Sequence, residues 1–557
     1  MSMVSRRQLL AGSVGLGLGW VPIGRYPRAT AGCPPPPPDF PPAIDLYRQE
    51  YRNWSGELRV DDVWTCAPRT PADVVALANW AHTHSYRLRA QGFRHGWAPL
   101  TITADAGCAS QVVLVDTTAH LTAMSIVAPG RVRVQAGAEM ETLLGFLERE
   151  GYGLLATPAP GDLSVGGVVA IDGHGTAVPA TGESRTPGTT YGSLSNLVTS
   201  LDAVVWDPAA GTYVLRTFHR ADPDGAAFLA SLGRAFVTEV TLQVGRNSNL
   251  RCVSRVDVSA EELFAAPGSA GQTFDSFVDG AGRAEAIWFA FTAAPWLKVW
   301  SVSPTRPATS RPVTGPYNYP FSDNAPPPVA ALAGRILAGA AQLAPAFGQA
   351  QYAATAAGLT ATASADIWGR SKNLLLYVRP TTIRMHANGY AVLTDRGNIQ
   401  QVVHEFTAFY QQLLRRYADR GRFPVNGAVE IRVTGLDDPG DVDVPGAQPP
   451  ALSAVQPRED HPEWDVAVWL DVLTLPGTAY AEHFYRELEQ FIFATFTGAR
   501  VEWSKGWAYT DEAAWSAADV LHANVPASFP GWEQAVATLN RHDPHRVFST
   551  RLLDDLL

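Results

Sequence analysis

The chain has 557 residues, 46% hydrophobic and 17% charged, with a formal net charge of −10. That length excludes one small domain and favours two or three. The acidic balance, without a long basic run, argues against nucleic-acid binding, while 16 Trp and 22 Phe suit a bulky apolar ligand as well as a core.

Residues 1–31 read as a targeting segment. Ser5-Arg6-Arg7-Gln8-Leu9-Leu10 precedes an apolar stretch over 11–23, and Ala29-Thr30-Ala31 offers a small-residue cleavage site. The paired arginines mark a twin-arginine signal, which predicts a secreted or extracytoplasmic protein exported already folded. The apolar stretch is too short to span a membrane. Residues 32–49 form a Pro-rich segment around Pro34–Pro38. Cys33, Cys66, Cys108 and Cys252 allow three full disulfide pairings, and none has zinc-like spacing, so no metal is expected.

Residues 50–246 alternate strand and helix signals. Pro71–Ala81 has apolar residues at helical spacing after an early proline. Tyr86–Arg89 reads as a strand entering a first glycine-rich loop, Ala90-Gln91-Gly92-Phe93-Arg94-His95-Gly96. Strands follow at Gln111–Asp116 and Arg131–Ala136, then an amphipathic helix over Met140–Glu150. A second glycine-rich loop carries Asp162, Ser164, Gly166, Gly167, His174 and Gly175. Strands Leu201–Trp206 and Phe236–Leu242, the latter with Val237, close the region. Glycine lets backbone approach a ligand without a Cβ in the way, and a concave row of N–H groups suits a pyrophosphate. Neither loop has the spacing of a P-loop or a Rossmann fingerprint.

From about residue 247 the texture changes. Arg251–Val258, Ala284–Phe291, Trp296–Pro304, Leu374–Pro380 and Glu430–Gly435 read as alternating strands, with an Ala-rich helical stretch over 328–363. Residues 437–460 read as a long surface loop, and from 476 the pattern is helical again. In Val429-Glu430-Ile431-Arg432-Val433 the period of two puts Glu430 and Arg432 on one face. Read alone, that is an ion pair on a half-buried sheet. Glu285 leads into the aromatic run Ala286–Phe291. A carboxyl beside such apolar surface has its charged form disfavoured, as a proton shuttle near neutral pH requires.

The two loops, the Glu285 hairpin, the Glu430-Ile431-Arg432 strand and the Glu502-Trp503-Ser504-Lys505-Gly506-Trp507 segment together resemble flavoproteins of the vanillyl-alcohol-oxidase type, in particular the type II, covalent-FAD cholesterol oxidases. The resemblance spans nearly the whole mature chain. It implies an α+β fold: a two-part FAD-binding domain over residues 50–246, a substrate domain on an antiparallel sheet over 247–475, and a C-terminal segment, 476–557, returning to the flavin domain. It implies FAD bonded covalently through His95, although a glycine often stands where this chain has Arg94. Glu285 is implied as a proton-handling carboxylate, Glu430 and Arg432 as a paired gate for oxygen, and Lys505 as a nearby cation. Whether Glu285 or Glu430 takes a given proton stays open. The implied partners are a sterol and O2, with transient membrane contact to extract the sterol and a monomeric state. The alternative within the same fold is an oxidase of an alditol, sugar or lactone.

Overall fold

The computed structural model describes residues 36–106, 110–323 and 325–557. The twin-arginine segment, Cys33 and Cys108 lie outside the described residues. Cys66 and Cys252 are buried free thiols. No helix of the described residues is long and apolar enough to cross a membrane.

Three large sheets, beside a two-stranded pairing of Tyr152–Gly153 with Gly245–Arg246, organise the described chain. The first has four strands in the order Asp45–Arg52, Arg59–Ala67, Val112–Asp116, Arg87–Gln91, and the last two pairings are parallel. Helix Pro71–His84 makes the crossover between parallel strands. Its start is locally encoded. Thr70 accepts the Asp73 N–H, Asp73 reaches back to the Thr70 N–H, and a proline occupies the first turn. The strand entering the first loop runs through Gln91, two residues beyond the expected Arg89, so Ala90 and Gln91 are ladder residues. The second sheet is antiparallel throughout, in the order Met124–Ala128, Arg131–Gln135, Phe236–Gln243, Val198–Asp207, Thr212–His219. The chain end packs on the first sheet: Leu88 donates to the Val547 carbonyl at 2.8 Å, and Val547 and Phe548 join its apolar cluster.

The third sheet has nine strands, antiparallel except at the short Arg311–Pro312 edge. Its centre runs, side by side, Trp296–Val302, Arg283–Phe289, Ala428–Gly435, Val466–Thr474 and His386–Thr394. Alternation sorts the side chains. Ala284, Ala286, Trp288, Val429, Ile431, Val433, Leu470 and Val472 pack in one core with residues of helices Phe274–Ala281, Ile399–Ala418 and Ala481–Thr495. The intervening positions, Glu285, Lys298, Glu430, Arg432 and Asp471, therefore share the opposite face. Beside them on that face lies a second apolar cluster with Ile287, Phe289, Trp296 and Trp300.

This architecture is the expected α+β arrangement of a flavin-type region with an antiparallel-sheet cap. Two local expectations are corrected. Leu374–Pro380 is not a strand: Ser371–Leu375 is a short helix, after which only Val378 makes a bridge, to Pro160. Within 437–460 the stretch Leu452–Val455 is buried rather than on the surface.

Candidate active site

The first glycine-rich loop is held from both ends. The Trp54 N–H donates to the Arg94 carbonyl at 2.8 Å, and Asn53 donates to the Gly96 carbonyl at 3.3 Å. Arg94 has φ +62°, in the left-handed region where glycine is at ease. A glycine would adopt that conformation at less cost. Here the guanidinium compensates by donating to the Glu50 carbonyl and the Gln49 side chain and by lying over the Tyr51 ring. The His95 ring stacks on Trp54, centroids 5.0 Å apart, and meets Trp97 edge-on at 6.0 Å. Its Nδ1 is shut from solvent and has no hydrogen-bond partner among the described residues. Burial, helped by the Lys505 and Arg384 charges, pushes the imidazole down to about 3, so it is neutral at physiological pH. Phe93 is exposed.

The second loop lies against the first. A Cβ on Gly92 would fall on the Ser164 hydroxyl and come within 2.8 Å of its Cβ, so a residue with a side chain would part the loops. Ser164 caps the short helix Val165–Ala170 by accepting the Gly167 N–H at 3.2 Å, and the Gly166 N–H is taken by Ala136. The Ala136 N–H in turn donates to Thr238, next to Val237, which ties the loop to the second sheet. Burial pushes the Asp162 carboxyl up to about 6 and leaves its Oδ1 unpartnered. His174 donates from Nδ1 to the Gly175 carbonyl at 3.0 Å and stacks on Trp469 at 3.5 Å. Its Nε2 lies 3.8 Å from Glu502.

Both loops thereby reach the charged row on the nine-stranded sheet. Trp97 and Ala98 donate their N–H groups to the Ser504 carbonyl, and Lys505 Nζ lies 5.5 Å from the Trp97 ring. Lys505 pairs with Asp471 at 2.7 Å and Glu502 at 3.2 Å. Asp471 also binds Arg432, whose other terminal nitrogen lies 3.7 Å from Glu430 and 3.8 Å from Glu285. Register makes this possible: Glu285 faces Arg432 across one ladder, and Glu430 faces Asp471 across the next. Glu285 accepts the Tyr377 hydroxyl at 2.7 and 2.9 Å and has Lys298 at 3.8 Å. Burial lifts the Glu430 carboxyl against the pull of Arg432. Burial, with Glu502 nearby, pushes Asp471 up to about 7. Gly389 sits against this cluster. A Cβ there would come 2.6 Å from Asp471 Oδ1 and 2.9 Å from Glu502 Oε2.

Known proteins match this arrangement along its length. Residues 249–557 match the family described as cholesterol oxidase, substrate-binding, and residues 64–208 match the FAD binding domain family. A solved solvent-stable cholesterol oxidase is 56% identical, with 93% of this chain and 99% of that one covered and a TM-score of 0.92. The chain belongs to the cholesterol oxidase family. The crystal structure of cholesterol oxidase from B. sterolicum is 46% identical over 95% of this chain and all of that one, also at TM-score 0.92. A mitochondrial L-galactono-1,4-lactone dehydrogenase of Brassica oleracea is 28% identical over 191 residues, which is 34% of this chain and 29% of the plant protein's length.

Seen as a cholesterol oxidase, the cradle fits FAD on its own evidence. The orphaned His95 Nδ1 and the exposed Phe93 are what a flavin would satisfy. Four residues of the row escape sequence reasoning: Lys298, Tyr377, Asp471 and Glu502. Asp471 had a usable signal, a lone carboxylate inside the apolar run Val466–Thr474. Glu502 and Lys298 sat inside segments already singled out. Tyr377 lies just past the helix Ser371–Leu375, in an apolar run whose pattern reads as a strand.

Proposed function

We propose that this FAD-dependent cholesterol oxidase carries its flavin covalently on His95, oxidises the 3β-hydroxyl of a sterol with O2 as acceptor, and moves the Δ5 double bond to Δ4. Residues 50–246 and 476–557 would house the flavin and 247–475 the sterol. When bound, the flavin supplies hydride acceptance from C3 and hands the electrons to O2, giving hydrogen peroxide. The chain's residues do the rest. The neutral His95 imidazole, Nδ1 unpartnered, would hold the flavin through its 8α carbon. Ile287, Phe289, Trp296 and Trp300 form an apolar wall on the same face as the carboxylates, suited to a rigid hydrocarbon ring system. Glu430, its proton affinity lifted by burial, receives the hydroxyl proton. Glu285 takes the C4 proton and returns it to C6. Arg432, in reach of three carboxylates, can change partner as a gate must and can stabilise negative charge on the intermediate. A sugar- or lactone-oxidising alternative would need hydroxyl-binding side chains where this wall stands.

The observation that carries the reading is the meeting of His95, through Trp97 and Lys505, with the Asp471–Arg432–Glu285 row beside that wall. Aerobic incubation of the purified protein with cholesterol tests it, with hydrogen peroxide and conjugated enone followed together. Both should rise. Peroxide without enone would remove the isomerase role, and neither product from a folded yellow protein would remove the sterol. Export through the twin-arginine segment would place this chemistry outside the cytoplasm, and transient contact with a membrane by a monomer would bring the substrate.

A further inference from the structure

Lys298 is a charged side chain in this region that the mechanism above does not use. It is fully buried and is the cross-strand partner of Glu285. Its ammonium lies 3.0 Å from the Tyr377 ring centroid, 4.8 Å from those of Trp300 and Tyr319, and 5.2 Å from that of Trp296. No hydrogen-bond acceptor reaches it among the described residues, and the carboxylate at ion-pair distance is Glu285, at 3.8 Å. Enclosing an ammonium without acceptors is costly, and the aromatic faces offset part of that cost. An aliphatic side chain would fill the same space without it, so the charge has to act on what faces it.

The groups that face Lys298 are Glu285, Cys252 on the neighbouring strand, Tyr319 and Tyr377, and beyond Glu285 the Glu430–Arg432 pair. Burial keeps the Cys252 thiol neutral, pushed up to about 11, and raises both phenols well above their ordinary value. Glu285 is left as the nearest carboxylate that the charge faces. Arg432 flanks Glu285 from the other side at the same 3.8 Å, but it is shared with Glu430 and Asp471. Lys298 is not shared in this way.

Resting on the reading that Glu285 takes the C4 proton, we infer that Lys298 is a positioning residue, the fixed counterion that keeps Glu285 a carboxylate when Arg432 turns to its other partners. Tyr377 is the second part of the device. Its ring seats the ammonium, and its hydroxyl donates to Glu285 and fixes the direction of the carboxylate. In the isomerisation the C4–H bond breaks, the proton goes to Glu285 and the electrons stay on the dienolate. The same proton then forms the C6–H bond and Glu285 is a carboxylate again. Lys298 gains and loses nothing.

A Δ5-3-ketosteroid supplied directly to the holoenzyme isolates this step from oxidation, and the readout is the pH dependence of enone formation. Lys298→Met should move the acid limb upward by about 1–3 pH units, the size expected for removing an opposite charge at this distance, while the flavin spectrum stays as in the parent. A folded Lys298→Met whose acid limb coincides with the parent's overturns the inference. Should that variant fail to fold, Lys298→Gln removes the charge and keeps a polar head group. An upward shift of the limb then supports the inference and an unmoved limb overturns it. Glu285→Gln separates the two layers: loss of isomerisation keeps Glu285 as the base, whereas retained isomerisation overturns the Glu285 reading and the inference with it.

Discussion

The cradle of the two glycine-rich loops and the charged row on the nine-stranded sheet meet in the structure but are built by opposite physics. The cradle is local: Gly92 to Gly96 and Ser164 to Gly175 are consecutive stretches that pack closely on each other. The row is assembled from distant strands, and its charges are largely buried. Lys298, Glu285, Arg432, Asp471 and Lys505 become neighbours only through strand register. Damage to the cradle should therefore act on the cofactor, and damage to the row on protons and on stability.

The largest expected effect falls on the cradle. His95→Ala should abolish covalent attachment outright, so that denaturation with acid releases all flavin into the supernatant, where the parent keeps it on the precipitated chain. Flavin retained by the denatured variant would remove His95 from the role. Next comes Glu285→Gln, which should slow enone formation by about 10²–10⁴-fold, the range for a lost general base, with the flavin spectrum unaltered. Unchanged oxidation and isomerisation would remove Glu285 from the site.

Asp471→Leu should cost about 3 kcal/mol of folding free energy by leaving Arg432 and Lys505 short of their shared buried carboxylate. Denaturant unfolding measures it, and a variant as stable as the parent would mean that the other carboxylates already neutralise both cations.

The smallest effect joins the two regions. Glu57, beside the first sheet, pairs at 2.8 Å with His386 on the third. Burial alone would lower the imidazole, but Glu57 raises it above its ordinary 6.5 and is itself held low. The folded value exceeds the unfolded one, so this tie contributes fully below about pH 6.5 and is lost as pH rises through the raised value. With Glu57 partly open to solvent, about 0.5–1 kcal/mol is expected. Glu57→Gln should flatten the fall in melting temperature from pH 6 to 9, and an unaltered slope would assign that fall to other groups.

The same contrast explains what could be read in advance. Both loops, the Pro71 helix and the Glu430–Arg432 alternation are written in neighbouring residues, so composition and period show them. The two strands that complete the row were not foreseen. His386–Thr394 is interrupted by Asn388 and Gly389, which look like a turn, yet Gly389 is small because Asp471 and Glu502 occupy the space beside it. Val466–Thr474 is apolar nearly throughout because both faces are covered, and such runs carry no alternation. The run Leu374-Leu375-Leu376-Tyr377-Val378 suggested a strand for the same reason, and the structure spends its first part on a helix. The charged row is thus a property of the folded sheet, and a single segment holds only one or two of its members.

The most direct test of the account is a single turnover without oxygen. Anaerobic mixing of the holoenzyme with stoichiometric cholesterol should bleach the bound flavin and yield conjugated enone in the same vessel, because hydride acceptance at the cradle and proton transfer on the row then occur on one substrate. Flavin that stays oxidised with cholesterol, yet bleaches with an alditol or a sugar lactone, would contradict it.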